Sequence, residues 1–166
     1  MADAVNDMDS NQRAAPRIVV DADACPVKRE IVDTARTFGV NVLMVASYDH
    51  RLEPEPGVAV KQVDRSSQSV DLYISNEIRP GDIVVTQDFG LATVALARRS
   101  IVLSNRGERY TDETIDFLME RRHQSAKARR SGLRTRGPKA MTAEDRERFQ
   151  QKLTKVLAHM QEKREQ

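Results

Sequence analysis

The chain has 166 residues, 39% of them hydrophobic, with no tryptophan and a mean hydropathy of -0.59. That length suits one domain, and no apolar run approaches the ~20 residues a membrane-crossing helix needs. Lysines and arginines number 27 against 25 acids, the lone Cys25 excludes an internal disulfide, and the opening residues MADAVNDMDSNQRAAPR lack the apolar stretch of a secretory signal, so the cytoplasm is the expected location.

Residues 1–16 are polar and without periodicity, which predicts a disordered N-terminal tail ahead of a single domain over 17–160. Residues 17–20 form a short β-branched run that stops at Asp21, the pattern of a buried parallel strand with Asp21 and Asp23 at its carboxyl end. Pro26 suits the first turn of a helix in which Val27, Ile31, Ala35 and Phe38 share a face before Gly39 closes it. Residues 40–46 predict a second strand, a polar loop with prolines runs to Gly57, and residues 58–63 predict a third. Residues 66–69 cap a helix whose Val70, Ile74 and Ile78 lie on one face, with Asp71 in its first turn.

Residues 83–85 predict another strand, whose carboxyl end delivers Thr86, Gln87 and Asp88, repeating the placement of Asp21; Leu91, Val94 and Ala95 begin the next helix. Residues 101–103 make a further strand, SNRG turns the chain, and Thr111 caps a helix with acids at 112 and 113 and Ile115, Leu118 and Met119 on its apolar face. From 121 to 139 the chain reads RRHQSAKARRSGLRTRGPK without an acid, and a basic loop is expected there. Thr142 caps a last helix, expected over 142–160, whose stripe of Phe149, Leu153, Val156, Leu157 and Met160 must cover the sheet or meet a second copy in a homodimer. Strands alternating with helices argue for a three-layer Rossmann-like α/β fold, with a mainly parallel central sheet and helices on both faces.

Two carboxylates leaving one buried strand repel each other and ask for a cation. Mg²⁺ or Mn²⁺ takes hard oxygen ligands and keeps several waters, so Asp21 and Asp23, joined by Asp88 and Asp71 from the same sheet edge, form a candidate site. The competing reading is helix capping, since aspartate favours the positive end of a helix. Asn105 and Arg106 lie just past another strand end, where they can contact phosphate or serve as an ordinary turn with a surface arginine. The basic segment, including Arg129 and Arg130, suits the backbone of RNA or another nucleic acid, though it carries no aromatic residue for stacking. Cys25 has no histidine near it in sequence and reads as a packing cysteine, and His50, His123 and His159 show no zinc spacing.

The runs VDADACPVK, VDLYI, GDIVVTQDFGLA and SNRGERYT together resemble the YaiI/YqxD family of bacterial proteins, which is grouped with the PIN-like domains; the resemblance covers roughly residues 18–157. PIN-like domains are typically metal-dependent ribonucleases with carboxylates clustered at one end of a parallel sheet. The resemblance therefore implies a PIN-like domain with Asp21, Asp23, Asp71 and Asp88 as catalytic metal ligands and phosphodiester hydrolysis as the reaction. The glutamate that many PIN nucleases carry in an early helix has no clear equivalent here, Glu30 being the nearest candidate. Two other functions compete. The Asp-x-Asp after a strand is similar to the first motif of haloacid-dehalogenase-type phosphatases, with Asp21 as nucleophile, and a non-catalytic module binding metal and RNA would use the same residues.

Overall fold

Valine and isoleucine runs become strands when both faces can be covered, and five such runs lie side by side in this chain. In the computed structural model, which describes residues 15–134 and 139–165, the elements follow in the order β1 (Ile18–Asp21), α1 (Lys28–Phe38), β2 (Val42–Ser47), β3 (Val58–Val63), α2 (Ser67–Glu77), β4 (Ile83–Val85), α3 (Phe89–Ala97), β5 (Ile101–Leu103), β6 (Arg109–Tyr110), α4 (Asp112–Arg130) and α5 (Ala143–Glu165). Residues 1–14 of the tail expected over 1–16, and residues 135–138 of the basic segment, lie outside the described residues.

The strand order is β3-β2-β1-β4-β5-β6, with the first five parallel and β6 antiparallel to β5. Val20 stands opposite Met44 on one side and Val85 on the other, so β1 is the central strand. Alternation then sends its side chains to two cores. Ile18 and Val20 join Ile31, Val32, Phe149, Leu153 and Leu157 from α1 and α5. Val19 joins Val70, Ile74, Leu91, Ala92, Ala95 and Ile115 from α2, α3 and α4. This is the expected three-layer, Rossmann-like α/β arrangement, and the apolar stripe of α5 is covered by its own chain.

Local chemistry sets the boundaries. Gly39 ends α1 at φ 65°, in the left-handed region that glycine enters without a Cβ penalty. Thr111 and Thr114 exchange side-chain and backbone hydrogen bonds at the start of α4, and Thr142 and Asp145 do the same ahead of α5. Gly107, at φ 82°, lets the SNRG turn lie flat on α5: a Cβ there would stand 2.9 Å from Lys152 Cγ and 3.2 Å from Phe149 Cα.

Four expectations need correction. Residues 121–130 are not loop but the second half of α4, because arginine, lysine, alanine and glutamine are good helix formers and no glycine interrupts before Gly132. Met119, expected on the apolar face of that helix, is exposed, since only Ile115 and Leu118 reach the core. Asp71 sits one turn deeper in α2 than expected, because Ser66 rather than a later serine accepts the capping N–H of Gln68. The two-residue β6, too short to show alternation, was read as part of the turn before Thr111. Among the described residues no helix is long and apolar enough to cross a membrane.

Candidate functional site

The strand order reverses between β1 and β4, and in open α/β sheets the crevice outside the carboxyl ends at such a reversal is where ligands bind. Asp21 ends β1, and Asp88 is the N-cap of α3 just past β4. Asp21 falls on the same face of β1 as Val19, the face covered by α2 and α3, and that is where Asp71 and Asp88 stand. Topology alone therefore gathers three of the four expected acids.

Thr86 ties two of them together. Its hydroxyl donates to Asp21 Oδ2 at 3.0 Å, and its Oγ1 accepts the backbone N–H of Asp88 at 3.0 Å. Asp88 Oδ1 accepts the N–H of Leu91 at 2.9 Å, so the capping role considered from sequence is also filled. A Cβ on Gly90 would come within 3.1 Å of Asp88 Oδ1, so the glycine keeps this carboxylate uncrowded. Sequence reading placed Thr86 at the strand end without giving it a role; a hydroxyl two residues before a helix-capping aspartate is the signal that was there.

Burial raises the Asp21 pKa above the ordinary carboxylate range, against the lowering effect of the Thr86 hydroxyl, and the Asp23 and Asp88 charges push it further. Asp71 is pushed up to about 6 by burial, then by the Asp88 and Asp21 charges and by a hydrogen bond with Asp88. Among the described residues no lysine, arginine or histidine forms an ion pair with Asp21, Asp71 or Asp88. Three partly buried carboxylates, among which Asp88 disfavours the charge on Asp21 and both disfavour that on Asp71, offer only oxygen donors, the kind a hard divalent cation takes. Among the described residues no three acids, histidines or cysteines already stand at closed metal-ligand spacing. An ion bound here would therefore take at most two of these side chains directly, with water as its remaining ligands.

Asp23 behaves differently. Its Oδ1 accepts the N–H of Ser47 at 2.9 Å and lies 3.1 Å from His50 Nδ1, which turns it from the other three acids toward the end of β2. Nothing in the spacing of the three histidines pointed to His50. Glu30, the nearest candidate for the early-helix glutamate, faces α5: its Oε1 is 3.6 Å from Arg146 Nη1, and Arg146 also donates to the carbonyl of Pro26. Cys25 is buried, and burial pushes its thiol up to about 11, in keeping with a packing role.

Asn105 and Arg106 are both anchored. Asn105 donates from Nδ2 to the carbonyl of Ala24 at 3.1 Å and from its backbone N–H to Gln87 Oε1 at 3.0 Å. Arg106 donates to Asp145 Oδ2 at 2.7 Å and to the carbonyl of Lys139, so its charge is already paired. Arg129 and Arg130 are exposed at the far end of α4. One basic residue that the sequence did not single out stands beside α3: Arg122 lies 5.8 Å above the ring of Phe89, which follows Asp88. Arg129 is seven residues further along the helix, roughly 10 Å away by helical rise.

A cleft of about 510 Å³ opens beside Asp23, lined also by Ala24, Cys25, Pro26, Gln87, Asn105, Arg106, Lys139 and Met141. A larger cavity, about 880 Å³, lies at the amino edge of the sheet, lined among others by Arg17, Asn41, Gly57, Glu77 and Arg79. There Arg17 bridges Glu77 and the buried Asp82, an ion network that joins β1 to β4. It belongs to the end of the sheet away from the carboxylates.

Comparison with known proteins agrees with the motif resemblance. A family model described as "Uncharacterized BCR, YaiI/YqxD family" matches residues 19–159. A UPF0178 protein of Bacillus velezensis is 49% identical over 143 residues, covering 86% of this chain and 85% of the relative. One from Bacillus pumilus is 49% identical over 86% of both chains, and one from Halalkalibacterium halodurans is 44% identical over 86% of this chain and 90% of its own. No solved structure matches. With the match running from the first strand into the last helix, the chain belongs to the YaiI/YqxD family, whose curated members carry the name UPF0178.

Proposed function

We propose that the protein is a PIN-like, divalent-metal-dependent phosphodiesterase that cleaves RNA. The observation that carries this reading is the meeting of Asp21, Asp71 and Asp88 at the reversal point of the sheet, where Asp88 raises the cost of charging Asp21, both raise that of Asp71, and none is paired with a cation among the described residues. Asp21 Oδ1 and Asp88 Oδ2, the oxygens not used by Thr86 and Leu91, would be the direct ligands to Mg²⁺ or Mn²⁺, with Asp71 reaching the ion through water. Such an ion supplies Lewis-acid polarisation of the phosphate and a more acidic bound water. Thr86 fixes Asp21 and Asp88 relative to each other, so the two carboxylates need no rearrangement against water at the moment of reaction.

Substrate contact fits the exposed second half of α4. Arg121, Arg122, Lys127, Arg129 and Arg130 project from a helix with no acid after Glu120, and none of the five pairs with an acid among the described residues. Phe117, 64% exposed, carries Arg121 above its ring at 5.9 Å, and Phe89 carries Arg122, so α4 brings cation and aromatic surface together although the basic segment itself has no aromatic residue.

The test is incubation of purified protein with labelled single-stranded and structured RNA in Mn²⁺, Mg²⁺ or chelator, beside an Asp21→Asn/Asp88→Asn double variant. Metal-dependent fragments from the wild type alone are the expected result. Intact RNA retained on the protein in Mn²⁺ would replace this reading with a binding module, and an aspartyl-phosphate trapped on Asp21 would replace it with a phosphatase.

A further inference from the structure

The cleft beside Asp23 is assembled from four segments of the chain: the loop after β1, the loop after β4, the SNRG turn after β5, and the irregular stretch leading into α5. Two side-chain amides fix its geometry. Asn105 N–H needs an acceptor and finds Gln87 Oε1, which orients the Gln87 amide so that Nε2 is its remaining end. The carbonyl of Ala24 needs a donor and finds Asn105 Nδ2, which leaves Asn105 Oδ1 as that residue's remaining end. The backbone partners thus set both amide orientations, and among the described residues neither the exposed Gln87's Nε2 nor Asn105 Oδ1 makes a hydrogen bond. The site offers one held donor and one held acceptor, with Asn105 itself buried.

The remaining wall is apolar, from Cys25, Pro26 and Met141, and the volume of about 510 Å³ lies inside the ~300–1,000 Å³ range of small-molecule sites. Charge on the rim nearly balances: Asp23 is one anion, Lys139 one cation, and Arg106 is paired with Asp145. A second phosphate would gain little there. A flat, neutral heterocycle with an acceptor and a donor on one edge would satisfy both amides and cover the apolar wall.

We propose that this cleft is a nucleobase subsite: a base adjoining the scissile phosphodiester packs on Pro26 and Met141 and hydrogen-bonds Gln87 Nε2 and Asn105 Oδ1. The proposal rests on the phosphodiesterase reading for its place in the reaction, since Asp23 and Gln87 on the cleft wall lie two residues and one residue from Asp21 and Asp88 in the chain. Base binding itself needs no metal and no cleavage, which makes it separately measurable. Because the amides are already held in place, little ordering entropy opposes binding.

The experiment titrates the full chain, in chelator, with AMP, CMP, GMP and UMP, reading backbone amide signals by nuclear magnetic resonance, with ribose 5-phosphate as the probe that lacks a base. Saturable shifts at Ala24, Gln87 and Asn105 with at least one nucleotide, and none with ribose 5-phosphate, are expected. Gln87→Glu keeps the acceptor for Asn105 N–H but removes the free donor, and should weaken binding by about tenfold. Met141→Trp should fill the cleft and abolish binding, with the spectrum of the rest of the chain confirming its fold. Equal binding of ribose 5-phosphate, unchanged affinity in both variants, or no shift up to roughly ten times a millimolar Kd overturns the subsite. Nucleotide binding without metal-dependent RNA cleavage would sink the phosphodiesterase reading and leave the subsite standing; RNA cleavage with no nucleotide binding does the reverse.

Discussion

Replacing Asp71 with asparagine keeps the shape of the side chain and removes one of three clustered charges. Asp71 titrates at 3.8 when unperturbed and at about 6 in the fold. The folded state therefore holds this proton more tightly than the unfolded chain does, and the stability it contributes is fully present below pH 3.8 and lost as pH rises through about 6. A fully buried group with this shift would account for about 3 kcal/mol. Asp71 is only partly buried, so water screens the repulsion and about 1 kcal/mol is the working magnitude. In a chain of this length that moves Tm by ~2–4 °C. Thermal unfolding of wild type and Asp71→Asn in chelator should give near-equal Tm at about pH 4, where wild-type Asp71 is protonated, and a higher Tm for the variant at about pH 8. Mn²⁺ at about pH 8 should then raise the wild type more than the variant, because the ion relieves a repulsion the variant no longer has. A variant less stable than wild type at the higher pH in chelator would refute the account of the site as mutually repelling carboxylates.

Thr86→Val keeps the volume but leaves Asp21 Oδ2 and the Asp88 N–H without their shared partner, so Mn²⁺ affinity by calorimetry should fall ~10–100-fold, and unchanged affinity would show that Thr86 does not orient the site. Gly107→Ala and Gly132→Ala both place a Cβ at positive φ, but only the first meets α5, so urea unfolding should show about 1 kcal/mol lost at 132 and clearly more at 107; equal losses would remove the contact with Lys152 and Phe149 from the explanation. Arg122→Ala should make the salt dependence of RNA binding shallower by ~0.7 in log–log slope for the lost phosphate contact, measured by filter binding across ionic strengths, and an unaltered slope would place the nucleic acid elsewhere.

Much of this architecture could be read before any coordinates. The strands announced themselves as β-branched runs, and Asp21 and Asp88 as acids at the ends of two of them, because a parallel strand buried on both faces admits few other letters. The packing of Val70, Ile74 and Ile78 on one face of α2 followed from period alone. What escaped depends on partners distant in the chain. The turning of Asp23 toward Ser47 and His50 is fixed by the end of β2, and the pairing of Arg106 by Asp145 in α5, so neither leaves a local signature. The basic segment misled for a different reason. Charge repulsion among its arginines suggests a solvated loop, while the same residues have ample helix propensity and are carried on from a well-capped α4.

The division of the core between two faces bears on how the chain is made. By Leu103 the five parallel strands are all present, and α2 and α3 can already close one face of the sheet. The opposite face has α1 but still lacks Phe149, Leu153 and Leu157, which leave the ribosome some fifty residues later. At a synthesis rate of ~5–20 residues per second, the nascent sheet spends several seconds with Ile18, Val20 and Val85 incompletely covered. The last helix therefore sets when productive folding can finish, and a truncated chain that stops before it should be a client for chaperones and not a smaller version of the same fold.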